Sequence, residues 1–76
     1  MLIRYAYQLK NGKECGFYQC EKEDFRKFWK AAKSDIRCAV IETGEDVWIY
    51  YLKFDQGYWQ KASTAQQIAK ILDDID

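Results

Sequence analysis

Three cysteines, Cys15, Cys20 and Cys38, are the strongest nucleophiles in the 76-residue chain, and there is no histidine. Without imidazole, the commonest general base, metal ligand and near-neutral pH switch are all missing. The cysteines make neither a CxxC pair nor an even set, so their spacing supports neither a zinc site nor a disulfide framework. On one strand, five residues at about 3.4 Å each would hold Cys15 and Cys20 roughly 17 Å apart on opposite faces, too far for a bridge. We read all three as reduced, small apolar side chains. Asp73, Asp74 and Asp76 gather near the last residue, where solvation explains them without a metal. Gly12, Gly16, Gly44 and Gly57 are isolated and build no phosphate loop. No catalytic residue, metal or cofactor is therefore expected, and the chain reads as a binding protein rather than an enzyme.

Two other groups of residues can make contacts. At about 100° per residue, Lys22, Arg26, Lys30 and Lys33 form a stripe along one helical face, a surface suited to carboxylates or phosphates. The net charge of zero hides a split: residues 1–33 carry eight basic and four acidic side chains, a balance of +4, and residues 34–76 the reverse. Aromatic residues make up 17% of the chain, and many fall in 48–59. Outward-facing tryptophan and tyrosine give large contact area at low entropy cost, as protein-binding anchors do.

The elements that must carry these groups follow from periodicity. Leu2 to Leu9 alternates, with Ile3, Tyr5, Tyr7 and Leu9 on one side, as in a half-buried strand. Asn11-Gly12 predicts a two-residue hairpin turn that sets Gln8 opposite Cys15, Ala6 opposite Phe17 and Tyr5 opposite Tyr18. Glu21 to Ser34 changes to a helical period, with Phe25, Phe28, Trp29 and Ala32 on one stripe, acids in the first turn and lysines in the last. Ile36–Glu42 and Val47–Phe54 read as a second hairpin around Thr43-Gly44-Glu45-Asp46. A three-residue turn Asp55-Gln56-Gly57, with Gly57 in the left-handed position, leads into a fifth strand through Ala62. Ser63 with Gln66 makes a capping-box pattern, and Ala65, Ile68, Ala69, Leu72 and Ile75 share a stripe, which predicts a second helix.

The expected fold is a single α+β domain over residues 1–76, an antiparallel sheet of about five strands in the order β-β-α-β-β-β-α, with two helices packed on one face. Two helices cover only one face of that sheet. Assigning Val40, Ile49, Tyr51 and Trp59 to the helices leaves Ile41, Trp48, Tyr50, Leu52, Phe54 and Tyr58 on the other face; the reverse assignment leaves a smaller but still aromatic face, so some aromatics look outward either way. Trp48, Tyr50, Phe54 and Tyr58 are accordingly the expected protein-binding anchors, with Lys22, Arg26, Lys30 and Lys33 as a basic surface. The longest apolar runs are far shorter than the roughly 18–20 residues of a membrane span, and Met1-Leu2-Ile3-Arg4 lacks signal-peptide architecture, so a cytoplasmic location is expected.

Two resemblances add to this. The order helix, three strands, helix from Glu21 to Ile75 resembles double-stranded RNA-binding domains, with Lys61-Ala62-Ser63-Thr64 where that family begins its second helix. Ala65, Gln66 and Gln67 then stand where the family places phosphate-binding lysines, so the likeness implies a shared fold rather than RNA binding. The set Ile41-Glu42-Thr43, Trp48, Tyr51, Asp55, Gly57 and Trp59 is similar in spacing to the C-terminal hairpin of some small phage-borne anti-CRISPR proteins. That resemblance implies a stoichiometric inhibitor from a phage or mobile element, docking on a Cas or other host defence protein through strand aromatics and basic residues. The alternatives are a nucleic-acid-binding domain using the basic stripe and stacking aromatics, and a homodimer closed by the aromatic face.

Overall fold

A computed structural model describes residues 2–44 and 46–62. Five strands, β1 (Leu2–Leu9), β2 (Glu14–Glu21), β3 (Ile36–Thr43), β4 (Asp46–Lys53) and β5 (Gln56–Ala62), form one sheet, and the helix α1 (Lys22–Ala32) with a 3₁₀ turn at Lys33–Asp35 joins β2 to β3. The strand order is β2-β1-β3-β4-β5 and every neighbouring pair is antiparallel. The α+β class, the five strands and the first helix match expectation; the second helix, expected from Ser63 onward, lies outside the described residues.

The periodicity of β1 turns Ile3, Tyr5, Tyr7 and Leu9 toward α1, where they meet Phe25, Phe28 and Trp29 of the helix and Ile36, Ala39, Ile41 and Tyr50 of β3 and β4. Tyr5 is the hub of this core: its ring centroid lies 4.8 Å from Phe28, 5.1 Å from Phe25 and 5.5 Å from Tyr18. α1 has no side-chain N-cap bond, but Glu23 and Asp24 in its first turn and Lys30 in its last complement the helix dipole. A second, smaller cluster of Ile49, Ala62 and Tyr51 lies on the opposite face of the sheet.

Two of the expected turns are corrected, and both corrections matter for the site. In the first hairpin the Leu9 N–H donates to the Lys13 carbonyl and the Gly12 N–H to the Leu9 carbonyl, each at 2.9 Å, so the loop holds three residues, Lys10 to Gly12. Gly12 takes φ +93°, which a side chain would resist. Tyr7 therefore faces Cys15 and Gln8 faces Glu14, one residue from the expected pairing, and a bulge at Gly16-Phe17 restores Tyr5 opposite Tyr18. In the third hairpin Lys53 pairs with Gln56, so the turn is Phe54-Asp55, with φ of 53° and 62°, and Gly57 belongs to β5. That is the geometry of a two-residue hairpin turn with both central residues left-handed, rather than a three-residue turn ending at Gly57.

Candidate partner-binding trough

The β4–β5 register decides which aromatics meet. Tyr50 pairs with Trp59 and Tyr51 with Tyr58, so Trp48, Tyr50 and Trp59 share the face that α1 covers. The expectation that Trp48 and Tyr50 point away from the helix is corrected on this point. Tyr50 is 3% exposed, and Trp48 is half-buried against the core. The physical reason is long-range pairing: Tyr5, which faces α1, lies opposite Ile41, Ile41 lies opposite Trp48, and Tyr50 follows two residues on, so all four share the α1 face.

Phe54 and Tyr58, the other two expected anchors, are not brought to Trp48 and Tyr50. Phe54 sits at the β4–β5 turn and is 79% exposed. Tyr58 lies on the opposite face, its ring stacked 5.6 Å from Tyr51 and its hydroxyl donating to Gln56 Oε1 at 2.9 Å. The expected set thus divides between the two faces and a turn.

All three tryptophans of the chain meet along the helix side of the sheet. The Trp29 ring of α1 lies 4.8 Å edge-on from Tyr50 and 5.1 Å from Trp59, and Tyr50 and Trp59 are 5.2 Å apart. α1 spans only about 16 Å at 1.5 Å per residue, and β5 remains largely uncovered beside it. Trp59, 45% exposed, is the ridge of the trough that results, lining a cleft on each of its sides.

One cleft, of about 210 Å³, is floored by Ile3, Ile41, Phe25 and Trp48, with Lys22 and Arg26 at its rim and Thr43 as its one uncharged polar side chain. It is smaller than the roughly 300–1,000 Å³ of drug-sized ligand pockets, and has room for a single large apolar side chain. The other cleft, about 550 Å³, has Tyr50, Leu52 and Gly57 at its base, with Lys10, Lys30 and Lys33 against Asp55. The backbone N–H of Lys10 donates to the Asp35 carbonyl at 2.9 Å, which pins the first hairpin loop to the 3₁₀ turn and holds Lys10 in reach of this cleft. The helical stripe is thereby shared between the clefts, Lys22 and Arg26 in one and Lys30 and Lys33 in the other.

Five cations against one carboxylate line the trough, giving it a positive field over apolar walls. Trp59, Lys10 and Asp55, which line the trough, and Trp29, which packs on Trp59, are not among the expected anchors or the expected basic surface. Sequence reading puts Trp59 on the helix side but not Tyr50; their pairing follows once the turn closes at Phe54-Asp55. Lys61, opposite Trp48 in the ladder, is held by Asp46 at 3.1 Å.

The cysteines sit elsewhere, half-buried and in no disulfide. Cys20 packs on the core beneath α1, and burial, aided by Asp24 and Glu21, pushes its thiol pKa up. Cys38, whose Sγ is 3.7 Å from Gln8 Oε1, is likewise raised chiefly by burial. Arg37 Nη1 donates to the same Gln8 oxygen at 2.7 Å. Among the described residues no three histidine, cysteine or acidic side chains gather where a metal could bind, and no helix is long and apolar enough to cross a membrane. No protein family, curated protein or solved structure compared with the chain matches it.

Proposed function

We propose that this chain is a non-enzymatic binding module that holds an acidic segment of a partner protein in the trough between α1 and β5. The observation that carries the reading is the convergence on Trp59 of an apolar cleft under Trp48 and a row of cations on α1. A large apolar side chain of the partner fills the smaller cleft, and flanking carboxylates meet Lys22, Arg26, Lys30 and Lys33, with aromatic anchors supplying affinity and charge supplying orientation and encounter rate. Nucleobases fit the smaller cleft less well, since their polar edges would find only Thr43 and the two cations to bond there.

The stoichiometric inhibitor implied by the anti-CRISPR resemblance is one form of this activity. Trp48 and Trp59, two of the residues that carry that resemblance, both line the smaller cleft. The partner in that case is a Cas or other host defence protein whose surface presents acidic residues around an apolar side chain.

Selection from a displayed random-peptide library tests the proposal. Enrichment of sequences combining Asp or Glu with a large apolar residue, lost on Arg26→Glu with Lys30→Glu, is the expected result. A pool without acidic enrichment, or tighter binding of single-stranded oligothymidine than of any selected peptide, would replace it with the nucleic-acid reading.

A further inference from the structure

The face of the sheet opposite α1 is covered by something that the described strands do not supply. Ile49 is 0% and Ala62 2% exposed, and both point away from α1. Ile49 stands on β4 between Val40 of β3 and Gln60 of β5, and Gln60 is itself exposed. Neighbours in a sheet screen a side chain from the side, not from above. Tyr51, two residues on, leans across the ladder to stack on Tyr58 at 5.6 Å. The α-helix of the described residues lies on the other face. This is the burial of a single chain, so the cover belongs to that chain.

We infer that residues 63–76, which lie outside the described residues, are the occupant of this face, docking as a helix with Ile68 and Leu72 on Val40, Ile49 and Tyr51. β5 ends at Ala62, buried on this face at the Val47 end of β4, so the segment begins where the cover begins. Its fourteen residues make about 21 Å of helix at 1.5 Å per residue, enough to run back over Ile49 along most of a strand about 27 Å long. Its apolar residues Ala65, Ile68, Ala69, Leu72 and Ile75 share one stripe, the pattern of a helix with a single covered face.

Charge agrees with that direction. Asp73, Asp74 and Asp76 come last, where the helix dipole disfavours carboxylates, and on this course they end toward Arg37 and Lys53, the cations at that end of the same face. Arg37 is held on this face by its bond to Gln8, which alternates with the α1-facing residues of β1. The sheet is thus sandwiched between two helices rather than carrying both on one face. Tyr51 is then closed to any partner, while the trough, where Trp59 is 45% exposed, stays open. The inference is independent of what the trough binds.

Nuclear Overhauser contacts in the full, unmutated chain test the docking. The methyl groups of Ile68 and Leu72 are expected to lie near those of Ile49 and the ring of Tyr51, and the amides of Ile68 to Leu72 to exchange at least a hundredfold more slowly than in denaturant. In a mixture of isotope-labelled and unlabelled chains, no such contact is expected between copies. Contacts of Ile68 or Leu72 with Trp48 or Trp59 instead would put the segment in the trough and overturn the inference. So would contacts that arise only between copies, or amides of 68–72 that exchange as fast as in denaturant.

Discussion

The Tyr50 ring lies across Gly57, so closely that a Cβ built on that glycine would stand 2.7 Å from Tyr50 Oη and 2.9 Å from Cε1. Gly57 is therefore in β5 to admit the ring of its diagonal neighbour, not to supply a left-handed turn. Tyr50 cannot swing aside, because Trp29 and Trp59 bracket it at 4.8 and 5.2 Å.

Gly57→Ala is expected to destabilise the fold by about 1–3 kcal/mol, the usual cost of overpacking, despite alanine's better strand propensity. Adding Tyr50→Phe removes the nearest clashing atom and should return part of that loss. Chemical denaturation of the two variants and the parent checks this, and a Gly57→Ala variant as stable as the parent would contradict the packing described.

Ile49→Ala should cost about 2–5 kcal/mol although Ile49 faces away from α1, since it is completely buried in the second cluster with Ala62 and Tyr51. Thermal unfolding by circular dichroism reads the loss directly. A change below 1 kcal/mol would mean that the face opposite α1 contributes no core.

The phenol of Tyr7 is pushed up to about 12, first by desolvation and then by its hydrogen bond with the Cys15 thiol. Burial raises Tyr5 and Tyr50 as well. A raised folded-state pKa means that the folded chain keeps a proton that the unfolded chain has lost. The associated stability is fully present below pH 10 and disappears as pH rises from 10 toward about 12. Absorbance titration of tyrosinate should show Tyr7 as a late step, absent from Tyr7→Phe, and unfolding midpoints should fall over the same interval.

Thiol reagents at pH 8 should modify Cys20 and Cys38 slowly in the folded chain and quickly in denaturant, because both thiols are held protonated by burial. Fast labelling of either by the folded protein would expose a reactive cysteine where the structure has a packed one.

Much of the architecture was legible along the chain. Ile3, Tyr5, Tyr7 and Leu9 alternate because one face of β1 is covered, and Phe25, Phe28 and Trp29 recur at helical spacing because α1 lies over that same face. The lysine and arginine stripe was readable for the same reason. What local pattern could not show was which way the aromatic strands face, since Val47 to Phe54 is apolar on both sides and either assignment satisfies periodicity. The third turn, which sets only how β5 pairs with β4, was misread because Gly57 offered a left-handed candidate while the true turn holds Phe54, a residue that rarely adopts positive φ. The long-range pairing of β1 with β3, which places Tyr5 beside Ile41, likewise has no local signature.

The central claim concerns the trough, and all three tryptophans report on it. Binding of a selected acidic peptide, followed by the indole N–H signals of Trp29, Trp48 and Trp59, is the direct measurement. The account predicts shifts at Trp48 and Trp59 and a Kd at least tenfold weaker, about 1.4 kcal/mol, for Arg26→Glu with Lys30→Glu. Peptide binding that leaves these indole signals unmoved, or that is indifferent to the charge reversal, would contradict it.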